Sequence, residues 1–129
     1  MSGRFLLDTN IIIALFAGER EIKEQLAAAE EVFLPSIAVG ELCYGAKKSA
    51  RPQQNLERIN ELTESIVVLA CDVETARYYG DVKNKLRLKG QPLPENDIWI
   101  AALALQHNLT PATRDAHFQE IEGLVTAGW

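Results

Sequence analysis

The sequence lacks the features that mark several common classes of protein. It has only two cysteines, Cys43 and Cys71, in no closely spaced motif. Neither a disulfide framework nor a zinc site is therefore predicted. We expect the two cysteines to be small core residues. No apolar run approaches the ~20 residues that span a membrane. The first residues, MSGRFLLD, do not resemble a secretory signal. We expect a soluble, cytoplasmic protein with no membrane partner.

Positive charge is also scarce. The chain of 129 residues has 13 Lys and Arg against 18 Asp and Glu, for a net charge of −5. Dedicated nucleic-acid-binding modules are usually basic, so the balance disfavours one. It does not exclude a nuclease, because metal ions can bring an acidic site and a polyanion together. The hydrophobic fraction of 47% is enough for a core. With no linker or repeat visible, we expect one domain over residues 1–129.

Strand and helix candidates alternate along the chain. The strand candidates are residues 4–7, 31–34, 65–70, 109–113 and 123–127, and the helix candidates are residues 10–17, 20–30, 37–48, 52–63, 71–90 and 97–108. Ser36 and Asp72 are predicted to cap the helices that follow them, and Gly90 to end one. This order predicts an α/β fold with a mainly parallel sheet covered on both faces. In such sheets, ligands bind beyond the carboxyl ends of the strands.

Carboxylates stand near that predicted ligand edge. Asp8 directly follows the first strand, and Asp115 follows the fourth by two residues. Asp97 opens the apolar helix that leads into the fourth strand. Each aspartate alone could be a helix cap. Glu41 lies in the middle of a helix among apolar and small residues, where it must either extend to solvent or be paired, hydrogen-bonded or bound to metal.

Convergence of these four acids would require cations to neutralise their mutual repulsion. Oxygen ligands suit Mg²⁺ or Mn²⁺. One or two such ions can activate a water and stabilise the leaving oxygen of a phosphodiester. We therefore predict that the catalytic and metal-binding residues of a nuclease are Asp8, Glu41, Asp97 and Asp115. The polar residues that would orient these carboxylates or water are Thr9, Asn10 and Thr113.

Four blocks of the sequence resemble a PIN-domain ribonuclease, most closely the VapC-type toxins of bacterial and archaeal toxin–antitoxin pairs. They are LLDTNIIIAL (6–15), SIAVGELCYGA (36–46), NDIWIAALALQHNLT (96–110) and ATRDAHF (112–118). The positions that match the family's acids and threonine are Asp8, Glu41, Asp97, Asp115 and Thr113. The chain departs from the family where Pro111 replaces an apolar strand residue. Proline is rare inside a sheet, so we expect it to disturb that strand.

The resemblance implies a three-layer α/β/α PIN-like fold with a five-stranded parallel sheet. It also implies a homodimer, Mg²⁺- or Mn²⁺-dependent cleavage of RNA, and a cognate antitoxin that inserts a segment into the acidic groove. We accordingly predict an endoribonuclease that is the toxin of such a pair. Lys83 and Arg87 share a helix face and are candidate contacts to RNA phosphates, with a solvated face as the alternative. Arg114 is a candidate contact to a substrate phosphate or an antitoxin carboxylate.

Other functions are weaker matches. A phosphotransferase of the haloacid-dehalogenase type needs a second aspartate two residues after the first, where Asn10 stands. A response-regulator receiver domain needs a lysine after the last strand, and GLVTAGW contains none. A catalytically silent PIN fold that acts through protein contacts is the remaining alternative. His107 and His117 are ten residues apart and pair with nothing obvious, so we expect both to be surface or satisfied histidines.

Overall fold

The computed structural model describes residues 3–129, in which a single parallel sheet lies between helices. The strands are β1 (Arg4–Leu7), β2 (Glu31–Pro35), β3 (Val67–Leu69), β4 (Thr110–Thr113) and β5 (Ala127–Gly128). The helices are α1 (Thr9–Phe16), α2 (Arg20–Ala28), α3 (Ser36–Lys47), α4 (Pro52–Ser65), α5 (Val73–Lys89) and α6 (Glu95–His107), and a 3₁₀ helix covers Ala116–Glu120. Every pairing is parallel. The predicted α/β fold with five parallel strands is confirmed.

The two faces of the sheet bury separate hydrophobic cores. Successive residues of a strand point to opposite faces. Leu7 packs on one side with α1 and α2 through residues such as Ile11 and Ile22. Leu6 packs on the other side with α5 and α6 through residues such as Leu86 and Ile100. Both leucines are fully buried, as expected for a strand with helices on both faces.

The order of the strands creates a crevice beside β1. The order is β3-β2-β1-β4-β5. The chain therefore moves outward from β1 to β3 and then returns to place β4 on the other side of β1. Ligands of open α/β sheets bind at this type of reversal, beyond the carboxyl ends of the strands. Asp8 follows β1 and Thr113 ends β4, so both flank the crevice.

Pro111 does not disturb β4, so that expectation is wrong. The carbonyl of Ala112 accepts a hydrogen bond from the Asp8 N–H at 3.0 Å, so the backbone of Ala112 faces β1. Because successive residues alternate, the backbone nitrogen of Pro111 faces the opposite side. β5 pairs with β4 only from Ala112 onward. The missing N–H of the proline therefore removes no bond from the sheet.

The ends of α5 follow the predicted signals. Asp72 accepts a hydrogen bond from the Thr75 N–H at 3.0 Å, and the Thr75 hydroxyl accepts one from the Asp72 N–H at 2.9 Å. Gly90 ends the helix with a left-handed backbone at φ +70°. Both predictions are confirmed. Among residues 3–129, no helix combines the length and the apolar character needed to cross a membrane.

Three boundaries differ from the predictions. Ser36 is the first residue of α3 and does not cap it, since Pro35 occupies the cap position. The strand predicted over 65–70 is limited to β3 at one edge of the sheet. The strand predicted over 123–127 is replaced by β5, which pairs with only the last two residues of β4.

Candidate active site

Asp8 joins the end of β1 to the start of α1 and uses both of its carboxylate oxygens. Oδ1 accepts a hydrogen bond from the Thr9 N–H at 2.8 Å, which caps α1. Oδ2 accepts a hydrogen bond from the Thr113 hydroxyl at 2.7 Å. The residue is only 5% exposed. The carboxylate is therefore held in one orientation at the crevice between β1 and β4.

The three polar residues that were expected to orient the acids all lie within this network. The Thr113 hydroxyl also accepts a hydrogen bond from the Asp115 N–H at 2.9 Å. Asn10 accepts one from the Arg114 N–H at 3.3 Å, so α1 fixes the segment that carries Asp115. Thr9 donates its hydroxyl to Glu41 at 3.0 Å, which links α1 to α3. Their catalytic roles stay predictions.

Asp97 and Asp115 form the tightest part of the acidic cluster, together with a residue that the sequence gave no reason to select. Asp97 lies in the first turn of α6, with a side chain 15% exposed. Asp115 caps the 3₁₀ helix by accepting a hydrogen bond from the His117 N–H at 2.9 Å. One ligand atom from each of Asp97, Asp115 and His117 lies within 4.8 Å of the others. The spacing DAH, with the histidine two residues after a capping aspartate, is the only sequence signal for this contact.

The electrostatics of Asp97 show that all four predicted acids share one region. Burial, together with the negative charges of Asp8, Asp115 and Glu41 and against the opposing effect of His117, raises the pKa of Asp97 to about 6. Burial also raises the pKa of Asp8, against the hydrogen bonds from Thr113 and Thr9. Like charges that cannot escape to solvent disfavour ionisation. The structure therefore brings the four carboxylates together at the predicted edge of the sheet.

This donor set fits a divalent cation. Four carboxylates supply oxygen ligands of the kind that Mg²⁺ and Mn²⁺ prefer. Asp8 and Glu41 are already oriented by hydroxyl and amide donors, and such outer contacts typically fix the ligands of a metal. A bound cation would relieve the repulsion that raises the pKa of Asp97. Asp97 and Asp115 are thus close enough to share an ion, and Asp8 and Glu41 lie near them.

Arg114 is held by other parts of the protein. Its Nη2 atom forms an ion pair with Glu19 at 2.6 Å, and its Nε–H donates to the Trp129 carbonyl at 2.8 Å. The guanidinium therefore connects the segment after β4 to the turn between α1 and α2 and to the end of the chain. Contact of Arg114 with a phosphate or an antitoxin stays a prediction, and it would compete with these partners.

Lys83 and Arg87 lie outside the cluster of acids. Lys83 forms an ion pair with Glu95 at 2.9 Å, and Arg87 donates to Asn84 at 2.9 Å. Both line a groove of about 760 Å³ that also includes Glu95 and Ile98, the latter adjacent to Asp97 in sequence. The groove therefore runs past the start of α6. Contact between these two residues and RNA stays a prediction.

The chain is similar in sequence to proteins of a known family. A family model described as the PIN domain matches residues 5–124. The chain belongs to the PIN-domain family. Its relatives include Ribonuclease VapC1 of Haemophilus influenzae, which is 34% identical with 97% of each chain covered. They also include the tRNA(fMet)-specific endonuclease VapC of Shigella flexneri, 33% identical with 98% of each chain covered. The resemblance to VapC-type PIN-domain proteins is confirmed.

Solved structures of PIN-domain proteins share the fold over nearly the whole chain. VapBC2 from Rickettsia felis, bound to a DNA fragment from its promoter, gives a TM-score of 0.90 at 26% identity, with 98% of each chain covered. VapBC-1 from nontypeable Haemophilus influenzae gives 0.88 at 32% identity, also with 98% of each chain covered. The three-layer PIN-like fold is therefore confirmed.

Proposed function

We propose that this protein is a metal-dependent endoribonuclease that hydrolyses RNA phosphodiester bonds as the toxin of a toxin–antitoxin pair. The observation that carries the proposal is the convergence of Asp8, Glu41, Asp97 and Asp115 at the reversal of strand order. Relatives named as ribonucleases and endonucleases support it. The proposal includes one PIN domain over residues 1–129 and a cytoplasmic location.

The four acids would hold Mg²⁺ or Mn²⁺, which supplies a Lewis acid and lowers the pKa of a bound water. Asp8 provides the fixed part of the site, because the Thr9 N–H and the Thr113 hydroxyl each occupy one of its oxygens. Asp97 provides the titrating part, because its pKa of about 6 keeps it partly protonated in mildly acidic solution. Binding of a cation requires the ionised form. Activity is therefore expected to rise with pH through about 6.

Cleavage of structured RNA in Mg²⁺ or Mn²⁺ tests the proposal. Asp8→Asn and Asp97→Asn are expected to lose most of the activity of the wild type, and a chelator is expected to abolish it. The matched control is Asp81→Asn, which removes a carboxylate from a pair with Lys85 on the exposed face of α5. Equal cleavage by all four proteins, or none in either metal, would contradict the nuclease and favour the silent binding module.

An apolar groove beside Glu41 supports the proposed antitoxin partner. It has a volume of about 380 Å³, and its apolar walls come from α1, α3 and α4 through Ile13, Phe16, Leu42 and Ile59. Ile13 is 56% exposed although it is a large apolar residue. Thr9 and Glu41, which are hydrogen-bonded to each other, also line the groove. An apolar segment of a partner could therefore fill the groove and reach the acids, and related structures contain VapBC complexes.

Co-purification of the tagged protein with a small partner from its native host tests that proposal. Ile13→Glu is expected to prevent co-purification by placing a charge in the groove. Val125→Glu is the matched control, because Val125 is 72% exposed and lies outside the residues that line the groove. Equal loss in both variants, or retention in Ile13→Glu, would contradict docking in the groove. Size-exclusion chromatography with light scattering on the purified toxin tests the proposed homodimer.

A further inference from the structure

His117 is the one residue of the acidic cluster that offers a nitrogen ligand. Its Nδ1 atom lies 3.0 Å from Asp115 Oδ1 and 3.7 Å from Asp97 Oδ2. Two ligand atoms at right angles on an ion with bonds of about 2.1 Å lie about 3 Å apart. The separation from Asp115 matches neighbouring ligands of a single ion, and the separation from Asp97 is wider and requires a more open angle at the ion. The ring also keeps 56% of its surface exposed, so an ion from solvent can reach it.

The backbone that carries this ring is held in place. The His117 N–H donates to Asp115 at 2.9 Å, which closes the first turn of the 3₁₀ helix. Phe118 follows it and is fully buried in the core under α5 and α6. The histidine is therefore anchored on both sides in the chain, by a hydrogen bond to one metal-binding candidate and by a core side chain.

We propose that His117 is a direct metal ligand, which joins Asp97 and Asp115 in a mixed oxygen and nitrogen site and makes the protein prefer Mn²⁺ to Mg²⁺. Imidazole suits transition metals, whereas Mg²⁺ favours oxygen ligands alone. The inference rests on the proposed metal-dependent function and deepens it. An ion pair between a protonated His117 and the two aspartates is the competing explanation of the same contacts.

The chain offers a simple spectroscopic test because it has only two histidines. With Mn²⁺ bound, pulsed electron paramagnetic resonance detects a directly coordinated nitrogen. The wild type is expected to show this nitrogen coupling, and labelling of the histidines with heavy nitrogen is expected to change its frequencies. His117→Gln is expected to lose the coupling. The matched control, His107→Gln, alters the end of α6 and is expected to keep it.

Calorimetry provides a second measurement on the same proteins. His117→Gln is expected to bind Mn²⁺ about tenfold more weakly and Mg²⁺ with a smaller change. Unchanged Mn²⁺ affinity, or coupling that persists in His117→Gln, would overturn the inference. Mn²⁺ bound without nitrogen coupling in an active wild type would overturn it and leave the proposed nuclease intact. Binding of neither Mn²⁺ nor Mg²⁺ would overturn both.

Discussion

At the scale of single residues, Asp8 combines two roles that the sequence presented as alternatives. It caps α1 through one oxygen and faces the crevice between β1 and β4 with the other. The two roles are compatible because the strand ends where the helix begins. The hydrogen bond from Thr113 could not be predicted, since 105 residues separate the partners and only the register of β1 with β4 brings them together.

Removal of the Thr113 hydroxyl is expected to weaken both the fold and the site. Thr113→Val leaves a buried oxygen of Asp8 and the Asp115 N–H without this partner. We expect a loss of about 1–3 kcal/mol in the free energy of unfolding. Affinity for Mn²⁺ is expected to fall about tenfold or more. Urea unfolding and calorimetry measure the two effects, and Thr113→Ser, which keeps the hydroxyl, is expected to preserve both.

Neutralisation of Asp97 is expected to stabilise the metal-free protein. Because its folded pKa of about 6 exceeds the ordinary value of 3.8, Asp97 contributes stability below 3.8 that is lost as the pH rises through about 6. Asp97→Asn removes this loss. After allowance for partial exposure to solvent, we expect a gain of about 1–2 kcal/mol at a pH of about 7, which shrinks towards a pH of about 4.

Urea unfolding in a chelator measures that difference. Asp81→Asn is the control, since its carboxylate is exposed on α5 and pairs with Lys85 outside the acidic cluster. A variant Asp97→Asn that is less stable than the wild type at neutral pH would mean that the carboxylate is a structural partner in the apo protein, contrary to the repulsion inferred here.

At the scale of helices and strands, the sequence predicted the ends of a helix better than it predicted the length over which edge strands pair. Asp72 and Gly90 mark the ends of α5 because capping and left-handed geometry depend on a few adjacent residues. β3 and β5 are shorter than the sequence indicates, since the extent of an edge strand depends on the neighbour that pairs with it. The expectation that Pro111 disturbs β4 was wrong for the same reason, because the effect of the proline depends on which side of β4 lacks a partner strand.

Two glycines of α5 are expected to respond in opposite directions to alanine. Gly90 has φ +70°, a conformation that a side chain disfavours, so Gly90→Ala is expected to cost about 1 kcal/mol. Gly80 lies inside the helix with nothing within 4 Å of an added Cβ, so Gly80→Ala is expected to add about 0.5–1 kcal/mol. Thermal unfolding measures both, and a shift in the same direction for the two variants would contradict this account.

At the scale of the whole molecule, the fold converts distant acids into one site. The alternation of elements and the rule for carboxyl ends predicted that Asp8 and Asp115 would lie at the same edge of the sheet, whereas Glu41 and Asp97 were selected from their local surroundings and from the resemblance to the family. These signals could not predict the partners of Arg114 or the approach of His117. Those contacts depend on the paths of the turn after α1, the 3₁₀ helix and the end of the chain.

Metal binding is expected to stabilise the whole protein. A ligand that binds only the folded state at about a hundred times its dissociation constant adds about 2.7 kcal/mol. Thermal unfolding with Mn²⁺ and with a chelator measures the shift. We expect Asp81→Asn to keep the shift and Asp97→Asn to lose most of it. An equal shift of the unfolding temperature in Asp97→Asn would mean that the ion binds at another site.

Anomalous X-ray diffraction from crystals grown with Mn²⁺ measures most directly whether the converging carboxylates form a metal centre. We expect an anomalous peak at bonding distance from Asp97 and Asp115, beside Asp8 and Glu41. A peak remote from these residues, or none among them at saturating Mn²⁺, would contradict it.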